Sequence, residues 1–198
     1  MVYEKKSTET KNAIKMALLS ILEEKPFSSI SINDIATAAH INRGTFYYHY
    51  ADKFELIENI ENDFFNELNN VHDAILAKSS ANPLKDFESY RFLPDFFGLV
   101  ENNSYVLKQL LGANGDPMFE RHIRNNLKNI ISESIETTDI SKHSQQTTLV
   151  FDFITSACLT VINFWLEHPE ISKESIITTL TMLLTQGPVN TLLDNNEL

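Results

Sequence analysis

Residues that break regular structure are scarce in this sequence. Its 198 residues include five glycines and six prolines, which favours long helices joined by few turns. A single cysteine, Cys158, excludes an internal disulfide, and its apolar neighbours indicate a buried and inert thiol rather than a redox sensor. Hydrophobic residues make up 42% of the chain, so the sequence predicts a globular protein and not a disordered one.

The signatures of several functional classes are also missing. The sequence has no glycine-rich phosphate-binding motif, no nucleophile elbow and no recognisable acid–base pair, so nothing indicates an enzyme. Its six histidines show no metal-ligand spacing, and no cofactor is indicated. No signal peptide opens the chain, and the most apolar run, residues 149–166, contains polar residues that disfavour a membrane span. We therefore expect a cytoplasmic protein without a metal, a cofactor or a membrane anchor.

Charge is unevenly distributed along the chain. The formal net charge is −11, but residues 1–53 carry seven Lys/Arg and six Asp/Glu, which gives +1 for this part and −12 for the remainder. Such asymmetry indicates different partners for the two parts, and only the N-terminal part suits an approach to phosphates. Because +1 is a weak electrostatic footprint, we expect modest non-specific affinity for nucleic acid.

One segment, SINDIATAAHINRGTFYYHYADK, begins at Ser31 and predicts two short helices, a tight turn and the start of a third helix. Ser31 and Asp34 have the spacing of an N-terminal capping box, and Asn42 can cap the second helix. Phe46 and Tyr50, four residues apart, face a core together. The other side chains of the second helix are donors or flat rings, which is typical of a helix that reads the DNA major groove.

Arg43, near the start of this reading helix, is the first candidate for a sequence-specific contact, because arginine can bond a guanine edge with two donors. Thr45, Tyr47 and Lys53 are candidate phosphate anchors. Lys53 lies in the first turn of the next helix, where a cation is unfavourable for the helix dipole and a nearby phosphate would relieve the conflict. The candidate DNA-binding residues are Ser31, Asn33, Arg43, Gly44, Thr45, Tyr47, Tyr48, His49 and Lys53.

The rest of the chain also shows helical periodicity. Apolar stripes, caps and prolines predict about nine helices in total, and a long helix after Asp52 would join the N-terminal part to the remainder. Outside the segment described above, the predicted helices cover residues 7–24, 52–77, 83–92, 94–102, 104–111, 117–136, 145–168 and 173–186.

Aromatic residues are dense between Tyr90 and Phe97. Core packing is the first interpretation, and the alternative is that an interrupted helix with several aromatics lines a ligand pocket. His122, beside Arg121 and Arg124, lies either on a solvated face or at an anion site. The candidate ligand-binding residues are Phe64, Tyr90, Phe96, Phe97, Phe119, Ile123 and Phe153.

Residues 31–53 resemble the DNA-binding domain of the TetR family of transcriptional regulators, over roughly the first quarter of the chain. Two later stretches, NGDPMFERHIR and NFWLEH, are similar to a TetR subgroup whose C-terminal region is like that of a dihydroxyacetone-kinase operon activator. The residues that carry the first resemblance are Ile35, Ala36, Ile41, Gly44, Thr45, Phe46, Tyr47, His49, Tyr50 and Lys53.

The resemblance implies an all-α, TetR-like fold. A three-helix helix-turn-helix domain would occupy residues 1–51, and a larger helical domain for ligand binding and dimerisation would occupy residues 52–198. The last two long helices of each subunit would form a four-helix dimer interface, with small residues that allow close approach. The candidate interface residues are Ser156, Ala157, Thr160, Phe164, Ile177, Leu180 and Leu184.

Two functions remain open from the sequence. The first is a homodimeric regulator, a repressor by family analogy, which binds a near-palindromic double-stranded operator and releases it when a small, largely apolar effector binds. The second is a TetR-like adaptor or coactivator that works through a protein partner without reading DNA itself. The intact reading helix favours the first function, and the weak charge of the N-terminal part favours the second.

Overall fold

The computed structural model describes residues 2–78, 92–136 and 145–188, and all regular structure within these ranges is helical. The predicted all-α fold is confirmed, with nine α-helices and one 3-10 turn in the described ranges. The α-helices are α1 (Val2–Leu22), α2 (Ile32–Ala38), α3 (Arg43–His49), α4 (Lys53–Lys78), α5 (Leu93–Asn102), α6 (Ser104–Leu111), α7 (Phe119–Glu136), α8 (Gln145–Glu167) and α9 (Lys173–Thr185), and the 3-10 turn is Phe27–Ser29.

The chain divides into two compact units. The first unit contains Met1–Asn66 and Tyr105–Glu120, and the second contains Glu67–Ser104 and Arg121–Leu198. Helices α4, α6 and α7 each contribute residues to both units.

The core of the first unit is formed by one apolar face from each of its helices. In α1, Ile14, Leu18 and Leu22 are buried at a spacing of four residues, as expected for an amphipathic helix. Phe46 and Tyr50, which are also four residues apart, are both buried in this core, as the sequence predicted. Further buried apolar residues of this unit are Leu19, Phe27, Ile30, Ile35, Ala36, Leu56, Ile57, Ile60, Phe64, Leu107, Leu110 and Phe119.

Local hydrogen bonds fix both ends of α2. At its start, the Asp34 amide donates to Ser31 Oγ and the Ser31 amide donates to Asp34 Oδ2, which forms the predicted capping box. At its end, His40 takes a left-handed conformation with φ of 55°. The Ile41 amide reaches the Ala36 carbonyl at 2.9 Å, the pattern of a Schellman motif. These contacts hold the turn that leads into α3.

A tight loop between α6 and α7 packs against the end of α1 within the first unit. The Asn114 amide side chain donates to the Leu22 carbonyl at 3.0 Å, and the Asn114 carbonyl accepts from the Phe27 amide at 2.8 Å. Because the last carbonyls of a helix have no partner inside the helix, Asn114 acts as a cap supplied from a distant part of the chain.

The second unit has its core between α5, α8 and α9. The rings of Phe97 and Trp165 are 5.6 Å apart, and the Trp165 indole donates to the Ile171 carbonyl at 2.8 Å. Ser172 caps α9 by accepting from the Ser175 amide. Further buried residues of this unit are Leu93, Phe96, Leu99, Val100, Ile123, Leu127, Phe151, Thr155, Cys158, Leu159, Ile162, Leu166, Ile176 and Leu180.

Two of the differences between predicted and observed helix boundaries are at helix starts. Helix α1 begins before the predicted start at Ser7, and α7 begins at Phe119 instead of at Pro117. The second difference arises because Asp116 first forms a turn, in which its carbonyl accepts from the Phe119 amide at 3.0 Å. The helix predicted at residues 83–92 lies outside the described residues, apart from its last residue.

Candidate nucleic-acid interface

Helix α3 is a short element fixed at its start and along one side. The Asn42 side chain accepts from the Thr45 amide at 2.7 Å and from the Thr45 hydroxyl at 3.1 Å, which caps the helix. On the inner side Phe46 has no exposed surface. The outer side of α3 is therefore presented on a fixed support.

The outer side of α3 carries a guanidinium and two phenols. Arg43 is exposed, and Tyr47 and Tyr48 are 48% and 66% exposed, which is high for rings that a core does not use. The Arg43 Nη2 group donates to Tyr47 Oη at 3.3 Å, and the guanidinium lies 5.9 Å from the centre of the Tyr47 ring. Together these side chains offer several donors toward one face, as contact with base edges and phosphates requires.

Gly44 lies between these groups and leaves the backbone accessible. A Cβ atom at Gly44 would come 3.2 Å from Asn42 Oδ1, the oxygen that caps the helix. A side chain here would therefore press on the cap as well as cover the outer backbone of α3. The small residue serves both needs.

His49, at the end of α3, is half-buried. Burial, and to a smaller extent the charge of Lys11, lower the pKa of the imidazole below its ordinary value of 6.5. Both effects favour the uncharged form of the ring, which can act as a polar side chain toward DNA. Its edge faces the Tyr48 ring at a centroid distance of 5.0 Å.

Near the start of α2, Ser31 and Asn33 are exposed. The Ser31 hydroxyl already donates to Asp34 Oδ2 at 2.8 Å. Lys25 also donates to this carboxylate at 2.7 Å, and the Lys25 ammonium followed by the two Ser31 bonds holds the pKa of the Asp34 carboxyl well below its usual range. Capping thus accounts for Ser31, whereas Asn33 is exposed beside the cap.

Lys53 differs from the expected phosphate anchor. Its ammonium donates to the carbonyls of Phe27, Ser28 and Ile30 at 2.8, 3.0 and 2.8 Å. A cation in the first turn of α4 is unfavourable for the helix dipole, and a phosphate was expected to offset this cost. In the structure these carbonyls offset it instead. The phosphate contact itself stays a prediction.

The residues predicted for ligand binding fall into different surroundings. Phe64 and Phe119 are buried in the first unit with their rings 6.2 Å apart. Phe153 is 59% exposed, so its side chain lies on the surface and not in an enclosed pocket. Tyr90 lies outside the described residues. The other predicted residues, Phe96, Phe97 and Ile123, are buried in the second unit.

The predicted interface residues lie on α8 and α9, and one of them needs correction. Leu180 has no exposed surface within a single chain, so it packs in the core and cannot meet a partner. Ser156 accepts from Arg124 Nη1 at 2.6 Å and is turned toward α7. Thr160 and Phe164 are exposed, and the side chains of Ala157, Ile177 and Leu184 are partly exposed.

Two buried polar atoms of the second unit were not singled out from the sequence. Among the residues that the structure describes, His72 Nε2 and Asn126 Oδ1 are buried without a hydrogen-bond partner. His72 is only 8% exposed. A buried polar atom without a partner is unfavourable, so a ligand or an ordered water is expected to bond to it. Helical periodicity gives no signal of this role for either residue.

Comparison with known proteins agrees with this geometry. Residues 17–60 match a family model described as bacterial regulatory proteins, tetR family, and residues 88–186, half of the chain, match a model described as transcriptional regulator C-terminal region. The chain belongs to the TetR family of transcriptional regulators. The predicted family is thus confirmed, and the TetR helix-turn-helix of this chain contains α2 and α3.

The TetR relatives are distant outside the N-terminal part. An uncharacterized HTH-type transcriptional regulator of Bacillus subtilis, YxbF, is 39% identical over 56 residues, which are 28% of this chain and 15% of that protein. A TetR regulator from Streptococcus agalactiae superposes with a TM-score of 0.65 and 23% identity over 93% of this chain and 98% of that chain. NalD of Pseudomonas aeruginosa, the secondary repressor of an efflux pump, superposes with a TM-score of 0.55 and 19% identity over 92% and 97% of the two chains.

The subgroup within the TetR family stays a prediction. The dihydroxyacetone kinase operon activator DhaS superposes with a TM-score of 0.49 and 22% identity, which is too low to support the assignment.

One described helix, Gln145–Glu167, is long and apolar enough to cross a membrane by length and composition, and 44% of its most apolar window is buried inside the structure. Core helices of globular proteins meet the same criterion.

Proposed function

We propose that this TetR-family chain is a homodimeric repressor that binds a near-palindromic operator through α3 and releases it when a small molecule binds. The observation that carries the proposal is the outer side of α3, where Arg43, Tyr47 and Tyr48 are exposed on a capped helix whose inner side is anchored by Phe46. A helix presented in this way can enter a major groove and contact base edges and phosphates.

In this proposal Arg43 contacts bases, and Thr45 and Tyr47 position the helix on the phosphates. Asn33 reaches a base edge, and Tyr48 and His49 contact base edges, thymine methyls or phosphates. The part that reads DNA covers residues 1–51, and residues 52–198 bind the effector and dimerise. The protein acts in the cytoplasm, where its operator is.

Dimerisation is supported by the exposed face of α8. Leu149, Phe153, Ala157, Thr160 and Phe164 follow one another at spacings of three and four residues, so they lie along one side of the helix. Leu149 is 69% exposed and Phe164 is 48% exposed. An exposed apolar stripe of this length is expected to be covered by another protein surface, and the symmetric partner is a second copy.

Effector binding is supported by the second unit. Phe96, Phe97 and Trp165 are buried in this unit, which also contains two of the atoms that are buried without a partner in the described part of the chain, His72 Nε2 and Asn126 Oδ1. Because an amide oxygen only accepts hydrogen bonds, the effector would have a largely apolar body and at least one hydroxyl or N–H donor. Its binding would favour a conformation with low affinity for the operator.

A second candidate function is the adaptor that works through a protein partner. It is favoured by the net charge of only +1 in residues 1–53 and by the internal hydrogen bonds of the Lys53 ammonium. A small net charge and an ammonium already bonded inside the protein both reduce the electrostatic attraction between residues 1–53 and DNA. A pull-down with and without nuclease separates the two functions, because an adaptor keeps its partner after DNA has been destroyed.

The deciding experiment is a mobility shift of the purified dimer on the DNA that flanks its own gene, at two salt concentrations. We expect a specific complex that weakens with salt, and Arg43→Ala should reduce specific affinity by about 1–3 kcal/mol. Arg121→Ala, which removes an exposed arginine from α7, is the matched control and should bind as the unaltered protein does. Equal affinity of Arg43→Ala and the unaltered protein would exclude α3 as the reading helix.

A further inference from the structure

The ammonium of Lys53 contacts five groups of its own unit. Its three donors meet three carbonyl oxygens, those of Phe27, Ser28 and Ile30, at 2.8–3.0 Å. The Nζ atom also lies 4.9 Å from the ring centre of Phe27 and 5.5 Å from that of Phe54. The hydrogen-bonding capacity of the ammonium is therefore fully used inside the protein.

These surroundings suit a cation. The carbonyls at the end of a helical turn carry partial negative charge, so a cation stabilises them. The Phe27 carbonyl also accepts from the Ile30 amide at 3.2 Å within the turn. The Phe27 and Phe54 rings meet edge to face at 5.5 Å, and an ammonium near an aromatic face is attracted by its electrons. We call this arrangement of Lys53, the three carbonyls and the two rings the Lys53 cage.

The Lys53 cage connects the two ends of the helix-turn-helix. Ile30 directly precedes Ser31, which caps α2, and Lys53 is the first residue of α4, four residues after the end of α3. The ammonium therefore ties the chain that leads into α2 to the chain that leaves α3. Without this tie, the two ends are connected only through α2, the turn, α3 and packing.

We propose that Lys53 is a positioning residue for DNA reading, which acts through α2 and α3 and does not itself bind a phosphate. The proposal rests on the proposed DNA-binding function. A phosphate contact would require the ammonium to give up at least one of its three carbonyl bonds, of which those to Phe27 and Ile30 are partly buried and that to Ser28 is exposed. Each bond given up would weaken the connection between the two ends of the helix-turn-helix. Lys53 thus contributes to affinity by holding the orientation of α3 and not by releasing a counterion.

The slope of operator affinity against salt concentration distinguishes positioning from phosphate contact. Removing one protein–phosphate contact reduces the slope of log K against log salt by about 0.9. An arginine in place of lysine gives a second distinction, because a guanidinium binds phosphate well but is planar and does not fit three carbonyls arranged around one nitrogen. A phosphate anchor tolerates Lys53→Arg, and a caged ammonium does not.

The experiment compares the full-length protein with Lys53→Met, Lys53→Arg and Lys15→Met, by operator binding between about 50 and 200 mM salt. Lys15 is the matched control, because its ammonium pairs with Asp63 in the same unit and its loss removes the same charge without touching the cage. We expect both Lys53 variants to bind about tenfold more weakly, or worse, with an unchanged salt slope and a Tm about 4 °C lower. Lys15→Met should keep its affinity.

Two results would overturn the proposal. One is a salt slope reduced by about 0.9 in Lys53→Met with an unchanged Tm, and the other is operator affinity in Lys53→Arg equal to that of the unaltered protein. Failure of the unaltered protein to bind any operator would instead refute the proposed function. In that case hydrogen exchange of the Ile30 and Ser31 amides still tests the Lys53 cage. We expect these amides to exchange about tenfold faster in Lys53→Met than in Lys15→Met. Equal exchange rates in the two variants would exclude a stabilising role of the cage.

Discussion

At the scale of single residues, one buried ring determines where its exposed neighbours point. Phe46 has no exposed surface, and the Tyr47 ring meets it edge to face at 5.8 Å. Arg43 Nη2 then donates to the Tyr47 hydroxyl, which favours one orientation of the guanidinium before any DNA is present. Less conformational entropy is lost on binding when such side chains are already ordered.

Asp34 gives a prediction at the same scale, the pH dependence of the α2 cap. The Lys25 ammonium and the Ser31 bonds lower the pKa of Asp34 in the folded protein, so its stabilising effect is complete above the unfolded value of about 4 and is lost as pH falls below it. Asp34→Asn should therefore be less stable than the unaltered protein at pH 6. The difference should shrink progressively toward pH 2.

Urea unfolding of both proteins at a series of pH values measures this difference. Asp95→Asn, at an exposed position in the first turn of α5, is a suitable control, because Asp95 has no counterpart of the capping box. A stability difference between Asp34→Asn and the unaltered protein that does not change between pH 6 and pH 2 would contradict the role given to the carboxylate.

At the scale of elements, the loop between α6 and α7 depends on the absence of one side chain. A Cβ atom at Gly115 would lie 2.1 Å from the Leu110 carbonyl oxygen and 2.6 Å from that of Gln109. Backbone atoms of α6 cannot move aside without breaking the helix end, so Gly115→Ala should cost about 2–4 kcal/mol. The substitution should also release Asn114 from the end of α1.

The free energy of unfolding from urea titration tests this prediction, with Gly98→Ala as its matched control. A Cβ atom at Gly98 meets nothing within 4 Å, and alanine is favoured over glycine inside a helix by about 1 kcal/mol. Gly98→Ala should therefore be neutral or stabilising. A Gly115→Ala protein as stable as the unaltered one would show that the loop adopts another conformation.

Helices and caps that are fixed by residues close together in the sequence could be predicted. Contacts between residues far apart in the sequence could not. The cap of Ser31 by Asp34 spans three residues and was predicted from spacing alone. The bonds from Lys53 to Phe27 and from Asn114 to Leu22 span 26 and 92 residues, and no local pattern indicates them. For the same reason the sequence did not indicate the carbonyl partners of Lys53, whose predicted phosphate contact stays a prediction.

Similar limits apply to the second unit. The apolar run of α8 indicated burial on more than one side, but periodicity could not separate the side that packs inside the chain from the side left exposed. Phe153 was therefore assigned to a pocket, and Leu180 to the dimer interface, whereas the structure places Phe153 on the surface and Leu180 in the core. Both differences concern which apolar face meets which neighbour.

For the whole molecule, affinity for an operator depends on two copies acting together. Helix α3 has only seven residues, so one copy reaches few base pairs, and residues 1–53 carry a net charge of only +1. A dimer that presents two α3 helices to successive major grooves makes the second contact intramolecular, which raises the affinity of the pair by about 10²–10⁴. We therefore expect strong DNA binding by this protein to require dimerisation.

Phe164→Glu tests this dependence. Phe164 is 48% exposed on the apolar face of α8, and a carboxylate there would be buried without a partner, opposite its copy, if the face is the dimer interface. We expect a monomer of unchanged helical content, with operator affinity about a hundredfold lower. Sedimentation velocity and a mobility shift measure the two effects.

Met118→Glu supplies the control for Phe164→Glu, because Met118 is 44% exposed and lies before α7 in the first unit, away from α8 in the sequence. It adds the same charge at a similarly exposed apolar position, and it should remain a dimer. A dimeric Phe164→Glu protein with full affinity would move the interface to another face. A monomeric one with full affinity would show instead that a single α3 is sufficient, and the near-palindromic operator would lose its physical basis.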